Sequence, residues 1–282
     1  MPVINRELFA EFVAVYAFQP ATAYWRAIEV PALIGLGIEP GRGIDIGCGD
    51  GKLTAIVARC AGMSDLVGVD PDPQEVEAAR RLSLYRAVHS VSAGDIPEPD
   101  GAFDYAISNS VLEHIAELDA VLAEVARVLR SGGGFYLTVP HAGFHAQLTG
   151  PLMPGISRAE YEERLDRRLA HLRYLSEAEW CAVLDHHGFS TEVVRFYLDR
   201  GEVRRWETLS RWTAGVLDTV SAGRVHPIMV QRRLGLRQAQ NAFRWPPSCA
   251  RLLSRVLAFG VSDDAILTAS NTGCVAIRCR KR

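Results

Sequence analysis

Lysine is nearly missing from this sequence. Of 31 basic residues only Lys52 and Lys281 are lysines, so arginine carries the positive charge, in part a mark of base composition. Also missing is any run of about 18 apolar residues, which excludes an ordinary membrane-spanning helix. The opening stretch MPVINRELFAEF carries acids among its first apolar residues, which argues against a secretory leader. The six cysteines, Cys48, Cys60, Cys181, Cys249, Cys274 and Cys279, form no C-x-x-C pair and no cysteine–histidine cluster with metal spacing. Reduced thiols, no metal centre and a cytoplasmic setting are therefore expected. Two nucleotide signatures fail as well. The P-loop pattern is absent, and the dinucleotide pattern G-x-G-x-x-G breaks where Gly47 and Gly49 are followed by Lys52 in place of the third glycine.

What is present suffices for a sizeable core: 282 residues with 48 % hydrophobic content suit one α/β domain, or one domain with an added lobe. The net charge of −2 hides an asymmetry. Residues 1–199 carry 16 Lys+Arg against 28 Asp+Glu, and residues 200–282 carry 15 against 5. The C-terminal third thus offers a basic surface that either docks on the acidic body or faces an anionic partner.

Short apolar runs at 43–47, 66–70, 88–92, 103–108, 134–139 and 193–198 read as strands, and GCVAIRCR near the end reads as a last one. Between them KLTAIVARCAG, PQEVEAARRLSLY, ELDAVLAEVARVLR and SEAEWCAVLDHHG read as helices, the last opened by Ser176 with Glu179 as a capping box. Strand–helix alternation of this kind implies a mostly parallel sheet covered on both faces. Two amphipathic stretches, RELFAEFVAVY and ATAYWRAIEVPALIGLG, precede it. Two connections, 140–175 and 199–272, far exceed the usual two to six residues. They are expected to rise from the carboxyl edge of the sheet, where open α/β sheets bind ligands.

The stretch GIDIGCGDGKLTAIVA joins the first strand to a helix through alternate glycines, D-x-G-x-G-x-G. Such a turn presents bare backbone N–H groups and a helix N-terminus. Asp45 and Asp50 within it would repel a pyrophosphate but suit a ligand with ammonium and sulfonium charge. Asp70, at the end of the second strand in LVGVDPDP, can accept both hydroxyls of a ribose. In SAGDIPEP, Asp95 can accept from an adenine amine, and Ile96 can offer its N–H and an apolar face.

Together the segments DIGCGDG, GVDPDP, GDIPEPDGAFDYAISNSVLEHI and VLAEVARVLRSGGGFYLTVP resemble, in order and spacing, the motifs of class I S-adenosylmethionine-dependent methyltransferases of the bacterial small-molecule branch. The resemblance is close over roughly 40–140. It implies a seven-stranded, mostly parallel Rossmann-like sheet with helices on both faces, the last strand antiparallel, and here a helical insertion before that strand. The domain plan is then N-terminal helices in 1–40, a core in 41–198 with a lid at 140–175, a basic helical insertion in 199–272 and the last strand in 273–282. It also implies S-adenosylmethionine as cofactor, with Asp45, Gly47 and Gly49 at its methionine part, Asp70 and Pro71 at the ribose, Asp95 and Ile96 at the adenine, and Asn109 near the methyl sulfonium. Arg26, in the second N-terminal helix, is a further candidate ligand contact.

Methyl transfer is an in-line displacement for which alignment supplies much of the catalysis, and a base is needed only when the acceptor is protonated. His114, His141 and His145 are the candidates, each equally readable as a histidine that fixes a loop. No arsenic-type cysteine set and no Asn-Pro-Pro-Tyr signature occurs, which favours oxygen as the methyl acceptor, with an activated carbon second and a non-catalytic cofactor-binding protein as the reading of another class. Within the insertion, Val203, Trp206, Leu209, Thr213, Val216, Leu217 and Val220 recur at helical spacing, CARLLSRVLAFG forms another amphipathic stretch, and MVQRRLGLRQAQNAFRW is basic. A lid over a small or lipid-like acceptor is expected, with peripheral contact to anionic lipid through 200–260 as a competing use. No nucleic-acid module is visible.

Overall fold

The computed structural model describes residues 6–152, 154–212, 244–258 and 267–282. Within them the chain divides into two compact units.

The first unit, 32–142, 172–196 and 274–282, holds the sheet. Its strands are β1 (Gly43–Ile46), β2 (Leu66–Asp70), β3 (Tyr85–Ser90), β4 (Phe103–Asn109), β5 (Leu129–Pro140), and most of β6 (Phe189–Asp199) and β7 (Thr272–Lys281). They form one seven-stranded sheet in the order β3-β2-β1-β4-β5-β7-β6. β1 to β5 pair in parallel, and β7 runs antiparallel to β5, as expected of the last strand.

Side chains alternate across the two faces. Ile44, Ile46, Val67, Val69, Ala106, Phe135, Leu137, Val139, Val275 and Ile277 point to one face, where they pack with α5 (Leu118–Val128) and α8 (Glu177–His186) through Val121, Leu122, Val125, Trp180 and Leu184. Cys48 and Val88 on the opposite face meet Val76 and Ala79 of α4 (Pro73–Arg80). α3 (Lys52–Ala61) follows the glycine turn and reaches that same face through Thr54. α8 opens with the expected capping box between Ser176 and Glu179.

Several boundaries differ from expectation. β5 starts at Leu129, inside the helix expected over 117–130, and not at 134, and β6 starts at Phe189, not at 193. The helix expected over 73–85 stops at Arg80, and β3 starts at Tyr85 and ends at Ser90, not over 88–92. Tertiary bonds decide this: the Tyr85 hydroxyl reaches back to Asp45 at 2.6 Å, and the Arg80 guanidinium turns from the helix to donate to the Val88 carbonyl at 2.8 and 3.1 Å.

The second unit, 1–31, 143–171 and 197–273, gathers three segments that are far apart in sequence. It contains α1 (Arg6–Val15), most of α2 (Pro20–Ile34), α6 (Phe144–Gln147), α7 (Arg158–Leu169), α9 (Arg200–Ser210) and α10 (Pro247–Ala258). Its core is aromatic: Trp25, Phe144 and Trp206 meet edge to face with centroids 5.2–5.9 Å apart. α10 packs along α1. Glu207, buried, accepts from the Tyr161 hydroxyl, Arg211 and the Thr149 N–H, so a charge that would be costly alone is fully bonded. Of the helix expected over 203–220, Val203, Trp206 and Leu209 lie on α9, whereas Thr213, Val216, Leu217, Val220 and all of the basic stretch 229–245 but Arg244 and Trp245 lie outside the described residues.

Candidate functional site

The parallel register aligns the carboxyl ends of the strands. Asp70 stands opposite Ser90, Asn109 opposite Thr138, and the pairing of Ile46 with both Val69 and Ser108 sets Gly47 level with Asp70 and Asn109. The result is one row, Ser90–Asp70–Gly47–Asn109–Thr138, on the same face of the sheet at its carboxyl edge. The adjacent row on the other face, His89–Val69–Ile46–Ser108–Leu137, carries no carboxylate.

The turn after β1 is left-handed at Gly47 (φ 72°) and Gly49 (φ 53°). A side chain at Gly47 would come within 2.6 Å of both Val111 methyls, whereas one at Gly49 would meet nothing within 4 Å. The turn is therefore closed behind Gly47 and open in front of Gly49, where backbone can approach a ligand.

Asp45, expected to face the methionine part, lies beneath the turn with 2 % of its surface exposed. Its Oδ2 accepts from the Thr54 hydroxyl and the Tyr85 hydroxyl, each at 2.6 Å. Burial pushes its carboxyl up to about 6; the two hydroxyls oppose the rise and the Asp70 charge adds to it. Asp45 thus supports the turn from below. Asp70 sits at the row itself: Oδ2 accepts from the Gly49 N–H and Oδ1 from the Asp72 N–H, each at 2.9 Å. Each oxygen keeps a second lone pair for a hydroxyl ligand. Burial raises this carboxyl too, against the pull of those two N–H groups. Pro71, exposed, follows it into α4.

Ile96 does not offer the N–H expected of it. That N–H donates to Glu124 Oε1 at 2.8 Å, and the Ile96 carbonyl accepts from Arg127, so α5 holds both backbone polar groups of this residue. Asp95 is exposed, with its N–H turned back to the Ser92 carbonyl. Because β3 ends at Ser90, Asp95 and Ile96 stand five and six residues beyond the strand, not three and four as expected. Tyr85, a strong β-former, is the sequence signal for that earlier strand.

The three histidines separate. His114 closes a short 3-10 turn (Leu112–His114) just past β4, half-exposed, with Nε2 3.8 Å from Glu113 Oε1. His141 is buried; its Nε2 meets Glu177 Oε2 at 2.9 Å and its ring stands edge-on to Phe196. His145 belongs to the helical unit, where its Nε2 meets Asp166 at 2.9 Å. Each of these two spends a ring nitrogen on a carboxylate, a loop-fixing role. Arg26 also lies in the helical unit and pairs with the buried Glu29, which accepts from the Tyr197 hydroxyl as well.

Two carboxylates around an open glycine turn, with no basic side chain in the row, fit a cationic adenosyl ligand and do not fit a pyrophosphate. Comparisons with known proteins agree. Residues 44–137 match a family described as a methyltransferase domain. An uncharacterized methyltransferase of Schizosaccharomyces pombe is 30 % identical over 177 residues, covering 58 % of this chain and 66 % of that protein. A ubiquinone biosynthesis O-methyltransferase of Rhizobium rhizogenes is 33 % identical over 103 residues, covering 34 % of this chain and 40 % of that one. The chain spans between about a third and two thirds of the length of the curated relatives it matches. Among solved structures, a methyltransferase of Thermotoga maritima described as a possible histamine N-methyltransferase shares the fold, with a TM-score of 0.54 at 18 % identity over 98 % of each chain. No helix among the described residues is long and apolar enough to cross a membrane. By its motifs, its sheet and these relatives, the chain belongs to the class I S-adenosylmethionine-dependent methyltransferases, with S-adenosylmethionine as cofactor.

Proposed function

We propose that this protein moves a methyl group from S-adenosylmethionine to an oxygen of a small molecule. The observation that carries the reading is the row Asp70–Gly47–Asn109 in register at the carboxyl edge, with the open turn at Gly49. When bound, the cofactor supplies an electrophilic methyl on a sulfonium whose departure needs no acid.

In this reading Asp70 accepts the ribose hydroxyls with the lone pairs left over from Gly49 and Asp72, and the turn N–H groups orient the methionine end. Asp45 holds the turn in place through Thr54 of α3 and Tyr85 of β3. The loop after β3 takes the adenine edge, with the exposed Asp95 carboxylate available to the adenine amine and Ile96 offering its apolar side chain, its N–H being held by Glu124. Asn109 stands near the methyl, and His114, beyond β4 and accessible, takes the proton of a phenol or hydroxyl acceptor. Oxygen as the acceptor rests on the absence of an Asn-Pro-Pro-Tyr signature and on the O-methyltransferase among the relatives.

Calorimetric titration with S-adenosylmethionine, its demethylated product and NAD tests the cofactor half. Binding of the first two without NAD supports it, and binding of NAD alone refutes it. Product formation with phenolic and hydroxylated acceptors, followed by mass spectrometry for the added methyl, tests the oxygen half. Methylation only of amines or of carbon would refute it.

A further inference from the structure

We infer that Thr138, a residue with no role in the reading above, is the positioning residue that sets which end of the Asn109 carboxamide faces the methyl site. The inference rests on the proposed placement of Asn109 near the methyl.

β4 leaves the sheet through Ser110, which is left-handed at φ 51°, a conformation that a serine adopts only when its surroundings impose it. What imposes it is Thr138, the residue in register with Asn109 on β5. The Ser110 N–H points at Thr138 and is shared between its carbonyl, at 3.0 Å, and its hydroxyl oxygen, at 3.1 Å. The same Oγ1 lies 3.2 Å from Asn109 Oδ1. Thr138 is fully buried, so this hydroxyl is confined to its protein partners.

The observed bonds orient the amide. Oγ1 accepts from the Ser110 N–H and donates its proton to Asn109 Oδ1. The carboxamide oxygen therefore faces Thr138, and the amide nitrogen is the other end. Thr138 thus holds the elbow that ends β4 through its carbonyl and hydroxyl together, and the hydroxyl alone sets the polarity of the side chain standing just before it. An N–H pair facing the transfer site is suited to an acceptor oxygen and unsuited to a protonated amine.

Three variants separate this from a packing role. Thr138→Val keeps the shape and removes the hydroxyl, Thr138→Ser keeps the hydroxyl, and Asn109→Ala removes the group being positioned. The probes are S-adenosylmethionine and its demethylated product, compared by calorimetry. In Thr138→Val the released amide can turn its oxygen toward the sulfonium, so affinity for the methylated form rises relative to the product by at least threefold. Thr138→Ser restores the wild-type ratio, and combining Thr138→Val with Asn109→Ala changes nothing beyond Asn109→Ala alone. An unchanged ratio in Thr138→Val, equal loss of both affinities, failure of Thr138→Ser to restore the ratio, or a further change in the double variant overturns the positioning role while leaving the methyl-donor reading intact. A wild-type protein that binds neither probe overturns both.

Discussion

Replacing Asp45 by asparagine tests the physics of the turn most directly. In the folded chain burial holds the Asp45 carboxyl at about 6, against 3.8 for an exposed one. The folded protein therefore keeps a proton that the unfolded chain gives up. Stability from this group is fully present below about pH 4 and is lost as the pH rises to about 6. The two values differ by about two pH units, which corresponds to roughly 3 kcal/mol. The substituted carboxamide would keep the size of the side chain, and its carbonyl oxygen can accept from both Thr54 and Tyr85, but it has no charge to desolvate. Urea unfolding of wild type and Asp45→Asn from pH 4 to pH 8 should show near-equal stability at the acid end. The variant should then gain about 3 kcal/mol by pH 7, a rise in melting temperature of roughly 5–10 °C for a chain of this size. Other titrating groups are common to both proteins and cancel in the difference. A difference that stays within about 1 kcal/mol across the range would refute the claim that a buried, desolvated carboxylate lies under the turn. The same substitution should weaken S-adenosylmethionine binding, since it removes a negative charge beneath a cationic ligand, so stability would rise as function falls.

Asp70→Ala should weaken S-adenosylmethionine at least tenfold by calorimetry with a folded circular dichroism spectrum; native affinity would break the ribose assignment. Gly47→Ala should lower the thermal midpoint by more than Gly49→Ala, because the first adds a clash with Val111 at 2.6 Å to the strain of its positive φ and the second adds strain alone. Equal effects would show that the Val111 contact gives way. His114→Ala should cut turnover at least tenfold with cofactor affinity unchanged, and unchanged turnover would remove it from the proton path.

The parallel sheet, the last strand and the helices on both faces follow from hydrophobic periodicity and glycine placement, because both are local properties of the sequence. What needed the structure was non-local. Nothing near Tyr85 in sequence shows that its hydroxyl belongs to Asp45, 40 positions away, yet that bond starts β3 early. The shift of β3 in turn leaves Asp95 and Ile96 five and six residues past the strand end, two farther than the sequence suggests. Likewise His141 and His145 are both candidates in the sequence, but one is enclosed in the sheet unit against Glu177 and the other serves the helical unit against Asp166. The type of a residue was legible; the carboxylate it would spend itself on was not.

The polar row has a consequence for how this protein tolerates insertions and deletions. Its members come from the ends of five strands, and the backbone ladder brings them level, with the Thr138–Asn109 bond added on top of it. One extra residue inside β2, with the start of the strand held in register, would present Val69 where Asp70 stands and turn the carboxylate to the opposite, greasy face. Loops beyond the strand ends carry no such constraint. Length changes should therefore be confined to those loops, while proteins sharing fewer than one residue in five keep the same fold.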